Sequence, residues 1–199
     1  VDSPEFQEYV QDALDLIEFA NGPVTSKWGK LRAEMGHPES FNLELLAIGN
    51  EQWESKNVDV APRYIAFEKA IHKVYPEIKC LGTAGPFVNH ELHTQAWDFY
   101  KAECEKNPDF TYAVDEHYYV EPKWLYENVD FYDNYPRNIG IFAGEYAGHD
   151  ENQKNSVEAA LAEAAMLTGM EKNGDIVKLA SYAPLFNRIG HSQWTPDMI

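Results

Sequence analysis

The chain has 199 residues and a formal net charge of −17, enough length for one domain and enough negative charge to repel phosphate backbones and anionic lipid. Hydrophobic residues make up 44% of the composition, so a sizeable core is expected, and no apolar run approaches the ~18 residues of a membrane span. Neither nucleic acid nor membrane is therefore an expected partner. The 12 tyrosines and 5 tryptophans suit a neutral polar ligand whose rings stack on aromatic faces.

The first element is a helix. Ser3-Pro4 reads as its N-cap and first turn, and Val10, Ala13, Leu14, Ile17 and Ala20 recur at helical spacing up to Asn21-Gly22. A polar loop containing Trp28 is expected up to about residue 40. Residues 43–50 (LELLAIGN) read as a buried strand, and a helix opens at Ala61-Pro62 and stops at Pro76. Residues 78–83 (IKCLGT) form the next strand, 92–107 a helix, 112–117 (YAVDEH) a strand, and 123–133 a short helix. A strand at 139–145 (IGIFAGE) follows, then a helix up to Lys172 opened by a capping box at residues 155–158. A strand at 176–181 (IVKLAS) precedes an irregular aromatic tail.

Short apolar strands alternating with helices predict parallel strands joined by crossover helices. Strand starts recur about every 27–37 residues, against roughly 31 per unit in a β/α barrel. No Gly-rich phosphate loop follows any strand, which disfavours a doubly wound open sheet. Five strands are expected where such a barrel has eight. The fold class read from the sequence is thus α/β, a partial (β/α)8 TIM barrel, with residues 1–199 expected to be a single and incomplete barrel domain.

Two of the five strands end on a glutamate, in Gly49-Asn50-Glu51 and Gly144-Glu145-Tyr146. Side chains at the C-terminal ends of barrel strands converge on one site, so strand-end carboxylates three units apart are expected to face a shared volume. Glycoside hydrolysis needs such a pair. One carboxyl group protonates the leaving oxygen, and the other attacks the anomeric carbon or activates water. A gap of about 5–5.5 Å goes with retention and about 6.5–9.5 Å with inversion.

The segments LLAIGNEQW, VDEHYY, IFAGEYA and LASYAPLF, in this order and spacing, resemble the α-L-arabinofuranosidases of glycoside hydrolase family 51, and the resemblance runs over nearly the whole chain. Asn-Glu at one strand end, His-x-Tyr two strands on and Gly-Glu-Tyr on the next make it specific. The resemblance implies that the strands correspond to strands four to eight of the family's barrel. It makes Glu51 the general acid/base and Glu145 the nucleophile of a retaining exo-enzyme that releases terminal arabinofuranose from arabinan, arabinoxylan or oligosaccharides. It further implies that Asn50 binds the sugar 2-hydroxyl and that His117 and Tyr119 are the His-x-Tyr pair, Tyr119 rather than its neighbour Tyr118 supporting the nucleophile. Gln193 and Trp194 resemble residues lining the sugar site, and Trp53 is a candidate for stacking on the sugar. A carbohydrate substrate, no cofactor, no metal and a parent enzyme that is often a homo-oligomer complete what it implies. Family members carry a C-terminal β-sandwich beyond the barrel, which is not expected within these residues.

Other residue types carry weaker signals. His37, His72, His90, His93, His149 and His191 lack the further ligands of a zinc site. Ser181 ends a strand without a nucleophile elbow. Asp115 shares a strand face with His117 and is expected to help fix its ring, whereas Glu116 alternates away and is expected behind the site or facing outward. Cys80 and Cys104 form neither a disulfide framework nor a metal spacing, which leaves a cytoplasmic and an exported location both open. Two alternatives stand beside the arabinofuranosidase: another retaining glycosidase of the same clan, of β-glycanase type, and a truncated, non-catalytic sugar-binding fragment.

Overall fold

The computed structural model describes residues 1–54, 59–88 and 90–198. The chain divides into two compact units, residues 1–82 and 83–199.

The first unit opens with α1 (Pro4–Asn21), whose N-cap Ser3 hydroxyl accepts from the Phe6 amide and whose buried stripe is Phe6, Val10, Ile17 and Ala20. A second helix, α2 (Lys27–Glu34), occupies the segment expected to be a loop. Apolar periodicity does not find it, because its buried anchor is an arginine. The Arg32 guanidinium is 1% exposed and donates to the carbonyls of Phe19, Ala20, His37 and Pro38 at 2.7–3.2 Å. It thereby ties α2 to the end of α1 and offsets the cost of burying a charge.

Strand β1 (Leu45–Ala47) is shorter than the expected 43–50. Left-handed backbone at Asn42 (φ 54°) and Gly49 (φ 98°) interrupts extended structure on both sides. β1 lies parallel to β2 (Lys79–Ala84), with Leu46 opposite Cys80. Between them a 3₁₀ turn spans Gln52–Glu54, and α3 (Val60–Val74) packs Tyr64 and Ile71 inward. Burial pushes the Cys80 thiol up to about 12, as expected of an inert core cysteine.

The second unit holds α4 (Glu91–Lys106), β3 (Ala113–Val120), α5 (Pro122–Glu127), β4 (Gly140–Gly148), α6 (Val157–Lys172) and β5 (Val177–Tyr182). β3 pairs with β4, and β4 with β5, all in parallel. The helix expected over 123–133 breaks after Glu127 and resumes as a 3₁₀ turn at Phe131–Asn134. Asn128 closes α5 by donating its side-chain amide to the Trp124 carbonyl at 2.8 Å. Ser156 caps α6 by accepting from the Ala159 amide at 3.1 Å. The reciprocal half of a capping box is not formed, since the third helical residue is alanine.

The β4 register carries the main irregularity. Asp115 lies opposite Phe142 but His117 opposite Glu145, and on the other side Ala143 faces Ala180 but Tyr146 faces Tyr182. Seen from both neighbours, β4 holds one extra residue in the stretch around Gly144. Such bulges bend a strand and re-aim a side chain. Glycine within a strand is a sequence signal for one.

Candidate active site

The C-terminal ends of β3 and β4 place three predicted site residues together. His117 and Glu145 are register partners and so share a sheet face. The Tyr119 hydroxyl donates to Glu145 Oε2 at 2.6 Å, within the range of a short, charge-assisted bond. His117 Nδ1 lies 3.6 Å from the same oxygen. Its Nε2 lies 3.2 Å from Asp115 Oδ2, which accepts from it. Both Asp115 and His117 are buried, and Tyr119 is 39% exposed. Tyr118 points to the other face, where it is buried against Tyr132, the two hydroxyls 3.2 Å apart.

That other face carries a second polar cluster. Glu116 is 1% exposed, not outward facing. Its Oε1 accepts from His93 Nε2 at 2.9 Å, Trp97 Nε1 at 2.8 Å and the Tyr135 hydroxyl at 3.0 Å. Tyr132 reaches its Oε2 at 3.4 Å. His93 is therefore held by a carboxylate in the core. Alternation correctly turns Glu116 away from His117, but it cannot distinguish solvent from a helix layer, and here α4 covers that face. Across the three strands on this side Tyr118 stacks on Tyr146, ring centroids 6.0 Å apart, and Tyr146 meets Tyr182 edge to face at 5.7 Å.

In the first unit, Asn50 and Glu51 follow the end of β1. Glu51 has left-handed backbone (φ 54°), two residues after Gly49 at φ 98°. For a non-glycine residue that conformation costs on the order of 1–3 kcal/mol and concentrates at functional sites. A Cβ on Gly49 would meet the Gln52 Oε1 at 2.3 Å. Trp53 is half-buried in the following 3₁₀ turn. Gln193 and Trp194 lie in the C-terminal loop with exposed side chains, Trp194 67% exposed. No hydrogen bond or ring contact among the described residues joins either to Glu145.

Two features escape a reading of residue types. The His149 ring stacks on Tyr119 with centroids 5.0 Å apart, and burial holds its pKa below the ordinary imidazole value. Gly144 lies so close to Asp115 that a Cβ on it would meet Asp115 Oδ1 at 2.0 Å. The only trace of this in the sequence is a glycine directly before a strand-end glutamate.

Comparison with known proteins bears on the same residues. The chain matches the "Alpha-L-arabinofuranosidase 1 domain" family over residues 1–137 and the "Alpha-L-arabinofuranosidase C-terminal domain" family over 126–199. It is 45% identical over its full length to an extracellular exo-α-L-arabinofuranosidase of Streptomyces chartreusis, covering 23% of that protein. It is 38% identical to α-L-arabinofuranosidase 2 of Arabidopsis thaliana, covering 100% of this chain and 27% of that one. The chain thus spans about a quarter of the length of the curated relatives it matches. Among solved structures, an arabinose-bound family GH51 α-L-arabinofuranosidase superimposes with a TM-score of 0.74 at 32% identity, over 97% of this chain and 30% of that one. An arabinose complex of the Thermotoga maritima enzyme, at 18% identity, shares the fold over 88% of this chain and 41% of its own, with a TM-score of 0.67. The α/β fold with parallel strands corresponds to part of the GH51 TIM barrel, and the chain belongs to the α-L-arabinofuranosidase family.

Proposed function

We propose that the protein is a retaining exo-α-L-arabinofuranosidase in which Glu145 is the nucleophile and Glu51 the general acid/base. The observation that carries this reading is the β4 carboxylate of Glu145 engaged by the Tyr119 hydroxyl at 2.6 Å, with His117 beside it. A nucleophilic carboxylate must attack as the anion, and a phenol donor orients it. Glu51 protonates the departing glycosidic oxygen while Glu145 bonds to the anomeric carbon. The resulting ester is then hydrolysed by a water that Glu51, now the base, deprotonates. Asn50 holds the 2-hydroxyl, and Trp53, Gln193 and Trp194 contact the sugar. No step calls for a metal or cofactor.

The substrate is a terminal arabinofuranosyl residue on arabinan, arabinoxylan or an oligosaccharide. The arabinose-bound relative at 32% identity supports a carbohydrate ligand. Among the described residues no helix is long and apolar enough to cross a membrane. Export is supported by the extracellular Streptomyces relative.

The test uses the protein expressed from its complete coding sequence, with Glu145→Ala and Glu51→Ala assayed on an aryl α-L-arabinofuranoside with and without azide. Glu51→Ala should lose about 10²–10⁴-fold in turnover on a poor leaving group. Azide should then give the α-azide with that variant, by attack on the glycosyl-enzyme, and the β-azide with Glu145→Ala, by attack from the vacated side. Near-normal turnover by Glu145→Ala removes it from the nucleophile role. Preference for an aryl xyloside or cellobioside points instead to a β-glycanase.

A further inference from the structure

We propose that Asp115 is a positioning residue for the Glu145 carboxylate, acting through His117, and that position 144 is glycine because a side chain there would displace Asp115. The proposal rests on the reading of Glu145 as nucleophile. Three observations carry it.

First, Asp115 is buried and makes a single polar contact with a side chain of the site, accepting from His117 Nε2 at 3.2 Å. A carboxylate that accepts at Nε2 fixes how the ring is turned, and an imidazole carrying a proton on both nitrogens donates to both carboxylates. Here the ring is turned so that Nδ1 faces Glu145 Oε2 at 3.6 Å. Catalytic contacts of this length commonly tighten once substrate is bound.

Second, the other carboxylate oxygen, Asp115 Oδ1, has no hydrogen-bond partner among the described residues. Burying such a group carries a penalty, and one retained in a fold calls for an explanation. Orientation of a catalytic neighbour supplies one, whereas a purely structural carboxylate would be expected to use both oxygens, as Glu116 does one residue later.

Third, the space that Oδ1 occupies is made by the β4 bulge. A Cβ at position 144 would sit 2.0 Å from Oδ1 and 2.8 Å from Cγ. The backbone of Gly144 is not in the left-handed region, so its own conformation does not demand glycine. The demand comes from the Asp115 carboxylate. Gly144 and Glu145 are thus adjacent for two linked reasons: one makes room for the group that orients the imidazole, and the other receives the imidazole.

The experiment compares Asp115→Ala, Asp115→Asn, Gly144→Ala and the double variant Asp115→Ala/Gly144→Ala in the complete protein, with kcat and KM on an aryl α-L-arabinofuranoside and thermal unfolding in parallel. Asp115→Ala should lower kcat by about 10–100-fold, the range that loss of an outer partner of an oriented imidazole costs at metal sites, with KM little changed. Asp115→Asn keeps an acceptor for Nε2–H and should retain most of the activity. Gly144→Ala should resemble Asp115→Ala, and the double variant should be no worse than either single one, since both break the same contact. Multiplying losses in the double variant, unchanged kcat in a folded Asp115→Ala, or equal losses in Asn and Ala variants that track unfolding would each overturn the proposal. Should Asp115→Ala fail to fold, Asp115→Asn and Gly144→Ala decide between the same outcomes. Glu145→Ala is the reference: if it retains turnover, the nucleophile assignment fails, whereas if it is inactive while Asp115 and Gly144 tolerate change, only the positioning role fails.

Discussion

Replacing Tyr119 by phenylalanine removes a single atom, the hydroxyl oxygen 2.6 Å from Glu145 Oε2. A hydrogen bond to a charged group is worth about 1.5–3 kcal/mol. Tyr119 is 39% exposed, so water can replace part of the bond, and the lower end, about 1.5 kcal/mol, applies. That corresponds to roughly tenfold in a rate constant. The chemistry says which one. The donor stabilises a carboxylate over an ester, so its loss penalises the step that regenerates free Glu145, the hydrolysis of the glycosyl-enzyme, and leaves its formation less affected. With a dinitrophenyl α-L-arabinofuranoside, whose leaving group needs no acid, Tyr119→Phe should lower kcat about tenfold, lower KM as the intermediate accumulates, and leave kcat/KM nearly unchanged. Stopped-flow release of the phenol should show an enlarged burst. Tyr118→Phe is the control, since its hydroxyl faces Tyr132, and it should leave the burst unaltered. A Tyr119→Phe enzyme with a raised KM and no fall in kcat would refute the reasoning and make Tyr119 a substrate contact.

Three further outcomes follow from the structure. Glu116→Ala strands the buried donors of His93, Trp97 and Tyr135 and should cost about 3–5 kcal/mol, read as a lowered urea midpoint, with Glu116→Gln losing less because it keeps an acceptor. Gly49→Ala forces a Cβ onto left-handed backbone and to within 2.3 Å of Gln52 Oε1. It should destabilise by about 1 kcal/mol or more and lower kcat by moving Glu51. Glu163 is buried, accepts from the Gly148 amide at 2.7 Å, and has its carboxyl raised above the ordinary 4.5, mainly by desolvation. The folded state therefore binds its proton more tightly than the unfolded chain, so its contribution is most favourable below 4.5 and is lost as pH rises through the elevated value. Urea midpoints measured across that window should show the loss in the native protein and a flatter profile in Glu163→Gln.

The strand–helix alternation was legible because each strand is a short apolar run and most helices carry an apolar stripe. Glu51 and Glu145 stood out as candidates because each closes an apolar run, although β1 stops at Ala47, before Glu51, and β4 continues past Glu145 to Gly148. What escaped the reading was polar. α2 is anchored by Arg32, which an apolar pattern counts as surface. The break after Glu127 depends on one asparagine amide. Glu116 was left between a place behind the site and an outward one, because period-two alternation separates the faces of a sheet without naming what covers them. The extra residue in β4 was invisible because register is a relation between strands, and only Gly144 hinted at it.

β3 shows why such polar anchors matter to the site. Its two faces have different tasks, with Asp115, His117 and Tyr119 toward Glu145 and Glu116 and Tyr118 toward the helices. An aromatic and polar strand of this kind has little apolar contrast between its faces, so hydrophobic burial alone specifies its register weakly. A slip by one residue would exchange Tyr119 for Tyr118 beside Glu145 and place Glu116 where His117 now stands. It would also put the shorter Asp115 carboxylate in the place of Glu116, one methylene farther from His93 and Trp97. The donors gathered on Glu116 make that slip costly, because a shorter carboxylate does not reach the same four donors and a buried donor left unpaired carries a penalty. The buried carboxylate on the helix side thus fixes, one residue away, which tyrosine reaches the carboxylate on the other face.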